Sequence, residues 1–181
     1  NKGRLAHAFL LTGIRGVGKT TTARIIAKAL NCVSDGNKKE PTFEICNECS
    51  PCKSINNGNF LDVIEVDAAS RTGVDGIREI IDSVMYSPNN ARYKVYIIDE
   101  VHMLSNAAFN ALLKTLEEPP QNVKFIFATT EIKKIPATII SRCQKFDLQR
   151  VDIETLTNHL NRICKAENIS YENDSIYQIC K

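Results

Sequence analysis

Ala8-Phe9-Leu10-Leu11-Thr12-Gly13-Ile14-Arg15-Gly16-Val17-Gly18-Lys19-Thr20 is the stretch that decides the fold. The apolar run Ala8 to Thr12, placed ahead of glycines, reads as a buried strand. Thr20 to Leu30 follows as a helix, with Ala23, Ile26, Ala27 and Leu30 at helical spacing. Between strand and helix stands the full pattern G-x-x-x-x-G-K-[ST]. Glycines there let backbone N–H groups converge on phosphate oxygens, and the helix adds the positive end of its dipole. Lys19 is expected to reach the β- and γ-phosphates of ATP, and Thr20 to offer its hydroxyl to Mg²⁺. The nucleotide-binding set expected from this stretch is Gly13, Gly16, Val17, Gly18, Lys19, Thr20 and Thr21. A chance glycine-rich turn has no reason to fall between a strand and a helix, as this mechanism requires.

Outward from the loop, strands and helices alternate. Leu61–Val66, Tyr93–Ile98, Val123–Ala128 and Lys145–Leu148 read as further strands. Val74 to Met85 reads as a helix with Val74, Ile77, Ile80, Ile81 and Val84 on one side. Ser105 can cap a helix that runs to Glu117 and is stopped by Pro119-Pro120. Ile135 to Ser141 reads as a turn and short helix. This alternation implies a parallel five-stranded sheet covered on both faces. After Leu148 the pattern is purely helical: one helix starts at Asp152 with Ile153, Leu156, Leu160 and Ile163 inward, and another starts at Asn173. The expected organisation is an ATPase core over 1–148 and the start of a helical lid domain over 149–181.

Val95-Tyr96-Ile97-Ile98-Asp99-Glu100 is an apolar strand ending in two acids. A strand end beside a phosphate loop is where a second carboxylate on the magnesium side belongs. Asp99 is therefore assigned to the metal shell with Thr20, and Glu100 to the general base that polarises the attacking water. Alone, such a pair would read equally well as solvated acids at a strand end. His102 extends the run to Asp-Glu-Val-His, similar to a helicase box. A helicase needs a second motor domain, and no other helicase motif accompanies the run, so His102 reads as a loop side chain without a catalytic role.

Residues 32–59 change character, with cysteines, Asn, Gly, Pro and Lys and little periodicity, and read as an insertion. Within it Cys32, Cys46, Cys49 and Cys52 form C-x13-C-x2-C-x2-C. Two-residue gaps put thiolates on one side of a tight knuckle, and four thiolates complete a tetrahedral Zn²⁺ with no position left for catalysis. The four-cysteine module over 32–55 is expected to hold structural zinc, which a segment with so few apolar residues needs. An iron–sulfur cluster and unbound thiols are the alternatives. Cys143, Cys164 and Cys180 are scattered and read as packing residues.

Bulk properties set the limits. The 181 residues suffice for one domain and part of another without disulfide staples. A formal charge of +2 is too small to announce nucleic-acid binding by itself. No apolar run is long enough to span a bilayer, so no membrane partner is expected. The start Asn1-Lys2-Gly3-Arg4 has no export signal and no Met, so the chain reads as an excerpt of a cytoplasmic protein. The odd count of seven cysteines agrees with a reducing compartment.

The phosphate loop, Asp-Glu-Val-His-Met-Leu at 99–104, Asn-Ala-Leu-Leu-Lys-Thr-Leu-Glu-Glu-Pro-Pro at 110–120 and Ser141-Arg142-Cys143 together resemble the clamp-loader ATPases of the AAA+ class. The four cysteines after the first helix and Asp67-Ala68-Ala69-Ser70-Arg71 narrow the resemblance to the bacterial DNA polymerase III kind. It covers essentially the whole chain. The resemblance implies an AAA+ fold and an ATPase that works as a motor within the polymerase III holoenzyme. It implies that Thr130 is the polar sensor of the γ-phosphate and Arg142 an arginine finger acting on a neighbouring subunit's ATP. The partners implied are other clamp-loader subunits in a hetero-pentamer, the sliding clamp and primed DNA. The polymerase core and helicase would be reached through regions outside this chain. An adenine-contacting segment is expected before Asn1, and a second sensor arginine and an oligomerising collar after Lys181. Arg71 and Lys114 read equally well as partner contacts and as solvated surface.

Overall fold

The computed structural model describes residues 5–34, 40–70 and 74–180. The opening Asn1-Lys2-Gly3-Arg4, Arg71 and the side chain of Val74 lie outside the described residues. The chain divides into two compact units, Asn1–Leu148 and Gln149–Lys181.

The first unit is built on β1 (Ala8–Thr12), β2 (Val63–Asp67), β3 (Lys94–Asp99), β4 (Val123–Thr129) and β5 (Gln144–Asp147). They form one parallel sheet in the order β2-β3-β4-β1-β5. Its helices are α1 (Lys19–Asn31), α2 (Ser50–Asn56), α3 (Val74–Val84), α4 (Asn106–Glu117) and α5 (Ala137–Ile140). Short 3₁₀ turns lie at Val101–Met103 and Ile132–Lys134.

The period-two alternation of strand side chains divides the core between two faces. Ala8 and Leu10 of β1, Tyr96 and Ile98 of β3, and Phe125 and Phe127 of β4 face one side with Ile77, Ile80, Phe109 and Leu112 of α3 and α4. Phe9 and Leu11, Val95 and Ile97, and Ile126 face the other, where Ala23, Ala27 and Leu30 of α1 pack. Small residues on α1 let that helix lie close to the sheet. Ser105 caps α4 as the sequence implies, its side chain accepting from Ala108 N at 3.2 Å.

Three details differ from the sequence reading. The second strand starts at Val63, and Leu61 is 76% exposed. Asp62 is turned inward instead, its carboxylate accepting from the backbone N–H groups of Asn89, Asn90 and Ala91 at 2.8–2.9 Å. The insertion contains a helix, α2, which a search for amphipathic periodicity passes over because it is short and opens Ser50-Pro51. The fifth strand runs one residue earlier, from Gln144 to Asp147.

The second unit contains α6 (Ile153–Ala166) and α7 (Asn173–Cys180). Asp152 caps α6, accepting from Thr155 N at 2.7 Å and Thr155 Oγ1 at 2.8 Å. Those bonds hold the Asp152 carboxyl below the usual range, the backbone N–H of Thr155 acting most. The inward expectation for Ile153 and Ile163 does not hold: they are 39% and 42% exposed. A single partner helix within this unit cannot cover the whole apolar stripe of α6.

Candidate nucleotide site and cysteine centre

The phosphate loop leaves β1 at Thr12 and enters α1 at Lys19. Gly13 has φ of +151° and sits against the backbone of Leu148: a Cβ built there would stand 2.5 Å from the Leu148 carbonyl oxygen. Gly18 caps α1 in the left-handed region, φ +95°, where a side chain is strained. Lys19 is only 6% exposed, and its Nζ donates to the carbonyls of Gly13 at 3.1 Å and Ile14 at 3.0 Å. The lysine thus braces the loop from within. An anion that enters the loop would meet Lys19 there and the N-terminal end of α1.

Strand order carries the acids to this loop. The tip of β3 brings Asp99 against the start of α1, and Thr20 Oγ1 donates to Asp99 Oδ2 at 2.5 Å. A hydroxyl and a carboxylate, the oxygen donors magnesium takes, are thus gathered beside the loop, and their chemistry fits a magnesium site. Asp99 Oδ1 accepts from Glu100 N at 2.8 Å, and Glu100 takes a left-handed conformation, φ +45°. Such a conformation in a non-glycine residue costs about 1–2 kcal/mol and is characteristic of functional turns. Thr130 Oγ1 donates to Glu100 Oε2 at 3.1 Å. Ile14, Arg15, Asp67, Glu100, His102 and Thr130 border a cavity of about 640 Å³ beside the loop.

His102, which the sequence presents as a loop side chain without a catalytic role, is placed among the site residues. Its side chain is 6% exposed. Nδ1 lies 3.0 Å from Thr129 Oγ1 and 3.3 Å from Glu100 Oε2, and Nε2 lies 3.4 Å from Glu131 Oε1. It therefore bridges the acid after β3 and the polar tip of β4. The signal in the sequence was the Asp-Glu-Val-His run at 99–102, which places the histidine close to the acids without naming its partners. Lys134 Nζ donates to Glu131 Oε1 at 2.9 Å, and this bond holds the Glu131 carboxyl below its usual range.

Arg142 stands apart from these residues. Its guanidinium donates to the Thr138 carbonyl at 2.7 Å and to the Glu117 carboxylate. Its side chain is 33% exposed. It makes no hydrogen bond to Lys19, Thr20, Asp99 or Glu100 among the described contacts.

The four cysteines of the insertion do come together. The Sγ atoms of Cys32, Cys46, Cys49 and Cys52 lie within 4.8 Å of one another. Cys32 and Cys46 are 3.5 Å apart and Cys32 and Cys49 4.0 Å apart. A tetrahedron with Zn–S bonds of about 2.3 Å has edges of roughly 3.8 Å, so the cluster fits zinc. Cys46 and Cys49 form a knuckle in which Cys49 N donates to Cys46 Sγ at 3.3 Å, with Asn47 in the left-handed region at φ +57°. Backbone N–H groups of Cys49 and Glu48 pull the Cys46 thiol down to about 6, whereas burial pushes the Cys52 thiol up.

A parallel sheet in the order β2-β3-β4-β1-β5, with a phosphate loop after β1 and acids at the tip of β3, is an AAA+ nucleotide-binding fold. Solved structures agree on the fold. Over 98% of this chain and 49% of theirs, the RuvB Holliday junction branch migration motor of Thermotoga maritima superposes with a TM-score of 0.64 at 21% identity. A DNA polymerase III gamma subunit-related protein of the same organism covers 96% of this chain and 53% of its own, with a TM-score of 0.56 at 19% identity. Residues 1–152 match the family described as DNA polymerase III, delta subunit, and the chain belongs to it. Curated relatives are DNA polymerase III subunits. The tau subunit of Bacillus subtilis (strain 168) is 55% identical over 96% of this chain and 30% of its own length. The tau/gamma subunit of Haemophilus influenzae is 53% identical over 98% and 25%, and the tau subunit of Escherichia coli (strain K12) 52% identical over 94% and 26%. The chain thus spans less than a third of the length of each of these three. No described helix is long and apolar enough to cross a membrane.

Proposed function

We propose that this chain carries the ATP-hydrolysing motor of a clamp-loader subunit in a bacterial DNA polymerase III. The observation that carries the reading is the convergence of Lys19, Thr20, Asp99, Glu100 and Thr130, drawn from three separate segments, on one end of the sheet. Lys19 and the N–H groups of Gly13 to Thr21 hold the triphosphate. Thr20 and Asp99 hold Mg²⁺, which neutralises phosphate charge when bound. Glu100 takes a proton from the attacking water, and Thr130 orients Glu100 and reports on the γ-phosphate. Arg142 serves the ATP of a neighbouring subunit, which accords with its described hydrogen bonds going to Thr138 and Glu117 and none to its own chain's Lys19, Thr20, Asp99 or Glu100.

Residues 1–148 act as the ATPase core, 32–55 as a structural zinc module on Cys32, Cys46, Cys49 and Cys52, and 149–181 as the start of a helical lid. The working partners are the other subunits of a hetero-pentamer, the sliding clamp and primed DNA, in the cytoplasm. The family relationship supports this reading, because the similar proteins are tau and gamma subunits. The deciding experiment is ATP turnover by the full-length protein reconstituted with clamp-loader subunits, clamp and primed DNA. Turnover stimulated by clamp and DNA is expected. Hydrolysis indifferent to both would sink the assignment. Elemental analysis should find one zinc per chain, and iron or no metal would refute the zinc module.

A further inference from the structure

Lys28 presents an unsolved electrostatic problem in the fold. It lies in the last turn of α1 and is 9% exposed. Its Nζ is held by two amide oxygens, Asn47 Oδ1 and Asn56 Oδ1, each at 2.9 Å. No described carboxylate pairs with it. An ammonium buried among neutral groups alone is costly.

The counter-charge is found by following the chain from each of its partners. Cys32 follows Lys28 by four residues, and Cys32 N closes the last turn on the Lys28 carbonyl at 2.7 Å, so the two share a helix face. Asn56 follows Cys52 by four residues on α2 and shares its face in the same way. Asn47 sits inside the Cys46–Cys49 knuckle. Both amides around the ammonium, and the helix that carries Lys28 itself, thus belong to the segments that bear the four cysteines. Four thiolates around one Zn²⁺ leave a net charge of −2, and Cys32 and Cys52 are fully buried. An anionic centre and a buried ammonium without a carboxylate partner, carried on the same segments, offset each other electrostatically.

We infer that Lys28 is the outer-sphere cation of the cysteine metal centre, a positioning residue whose charge offsets the surplus of the four thiolates and fastens the centre to the helix that begins with the phosphate loop. This rests on the zinc reading above. Asn47 and Asn56 serve as the amide clasps that aim the ammonium at the centre.

Charge, not bulk, is what the test must isolate. Lys28→Gln removes the charge and retains hydrogen-bonding capacity. Lys28→Arg keeps the charge. Zinc affinity of each full-length protein is measured by competition with a chromophoric chelator, and thermal unfolding is followed with zinc and after its removal under reducing conditions. Loss of an outer-sphere partner typically weakens metal binding by about 10–100-fold. Lys28→Gln should show a loss of that size, and Lys28→Arg should stay within a few-fold of the parent. In the zinc-free protein Lys28→Gln should be at least as stable as the parent, because there the ammonium is buried with no anion to offset it. Equal zinc affinity in Lys28→Gln and the parent would overturn the inference and leave the metal reading standing. Equal destabilisation of the zinc-free and zinc-bound forms would also overturn it, reducing Lys28 to a packing residue. A parent protein that takes up no zinc would overturn both readings together.

Discussion

Thr130 Oγ1 donates a 3.1 Å hydrogen bond to Glu100 Oε2, tying the residue just beyond β4 to the acid just beyond β3. The same carboxylate oxygen lies 3.3 Å from His102 Nδ1. Glu100 is therefore held on two sides, on a turn of left-handed backbone. Glu100→Gln keeps the shape and the acceptor for Thr130 but removes the base. ATP should bind and persist, while turnover in the assembled complex falls by about 10²–10⁴. Turnover at the parent rate would rule out the role.

Lys19 has a structural duty even without nucleotide, because its Nζ spans two carbonyls of the loop. Lys19→Ala should abolish binding of a fluorescent ATP analogue. It should also lower stability by about 1–3 kcal/mol, the usual range for a buried charge-assisted hydrogen bond. Chemical denaturation of the two proteins checks the second effect. An unchanged midpoint would mean that the loop carbonyls find other donors, and unchanged nucleotide affinity would remove Lys19 from the site.

The two loop glycines at Gly13 and Gly18 are constrained for different reasons. Alanine at Gly18 meets no atom within 4 Å and suffers only the left-handed backbone, a penalty of about 1–2 kcal/mol. Alanine at Gly13 adds a collision with the Leu148 carbonyl at 2.5 Å. Gly13→Ala should be the more destabilising of the pair in denaturant titrations. The reverse order would show that the chain near Leu148 yields easily.

Arg142 is engaged by Glu117 and the Thr138 carbonyl of its own chain. An arginine finger held in this way must exchange its partner when a neighbour's nucleotide arrives. Arg142→Ala should leave the subunit's own ATP affinity nearly unchanged yet depress hydrolysis in the assembly, by up to roughly 10³–10⁵. Mixing Arg142→Ala subunits with Lys19→Ala subunits should restore part of the activity, since one ordered pair rebuilds a complete site. Mixed assemblies no more active than their separate components would exclude action in trans.

Burial pushes the Cys143 thiol up to about 12 from its ordinary value of 9.0. Folding thus protects the neutral form. The contribution is fully present below the unfolded value and is lost as the pH rises through about 12. At pH 8 the native thiolate fraction is roughly a thousandfold below that of the unfolded thiol. Alkylation by iodoacetamide, mapped by mass spectrometry, should spare Cys143 in the native protein and modify it in denaturant. Prompt modification of native Cys143 would contradict its burial.

Much of the site was legible because its chemistry is local. The pattern from Gly13 to Thr20 needs only its own spacing to cradle phosphate, and Ser105 needs only the next three residues to cap α4. The cysteine spacing likewise fixed the expectation of a four-sulfur cluster, which the gathered Sγ atoms meet. His102 was visible in the sequence but its placement was not, because its partners Thr129 and Glu131 reach it from another strand tip. The exposure of Ile153 and Ile163 escaped notice for the opposite reason: periodicity names an apolar stripe without saying what covers it.

The sequence by itself determined which residues could bind phosphate, hold a cation and gather a metal, and it determined the order along the chain of the five strands and of the helices outside the insertion. Only the tertiary structure decided which of them meet. Thr20 and Asp99 are 79 residues apart, and they touch because β3 and β1 flank β4 in one parallel sheet. Lys28 finds its clasps 19 and 28 residues away, across an insertion with no repeating pattern to predict the approach. Backbone geometry and side-chain period act over a few residues and can be read directly. Strand order and the pairing of distant polar groups emerge from packing both faces of the sheet at once, and no local stretch of chain carries that information.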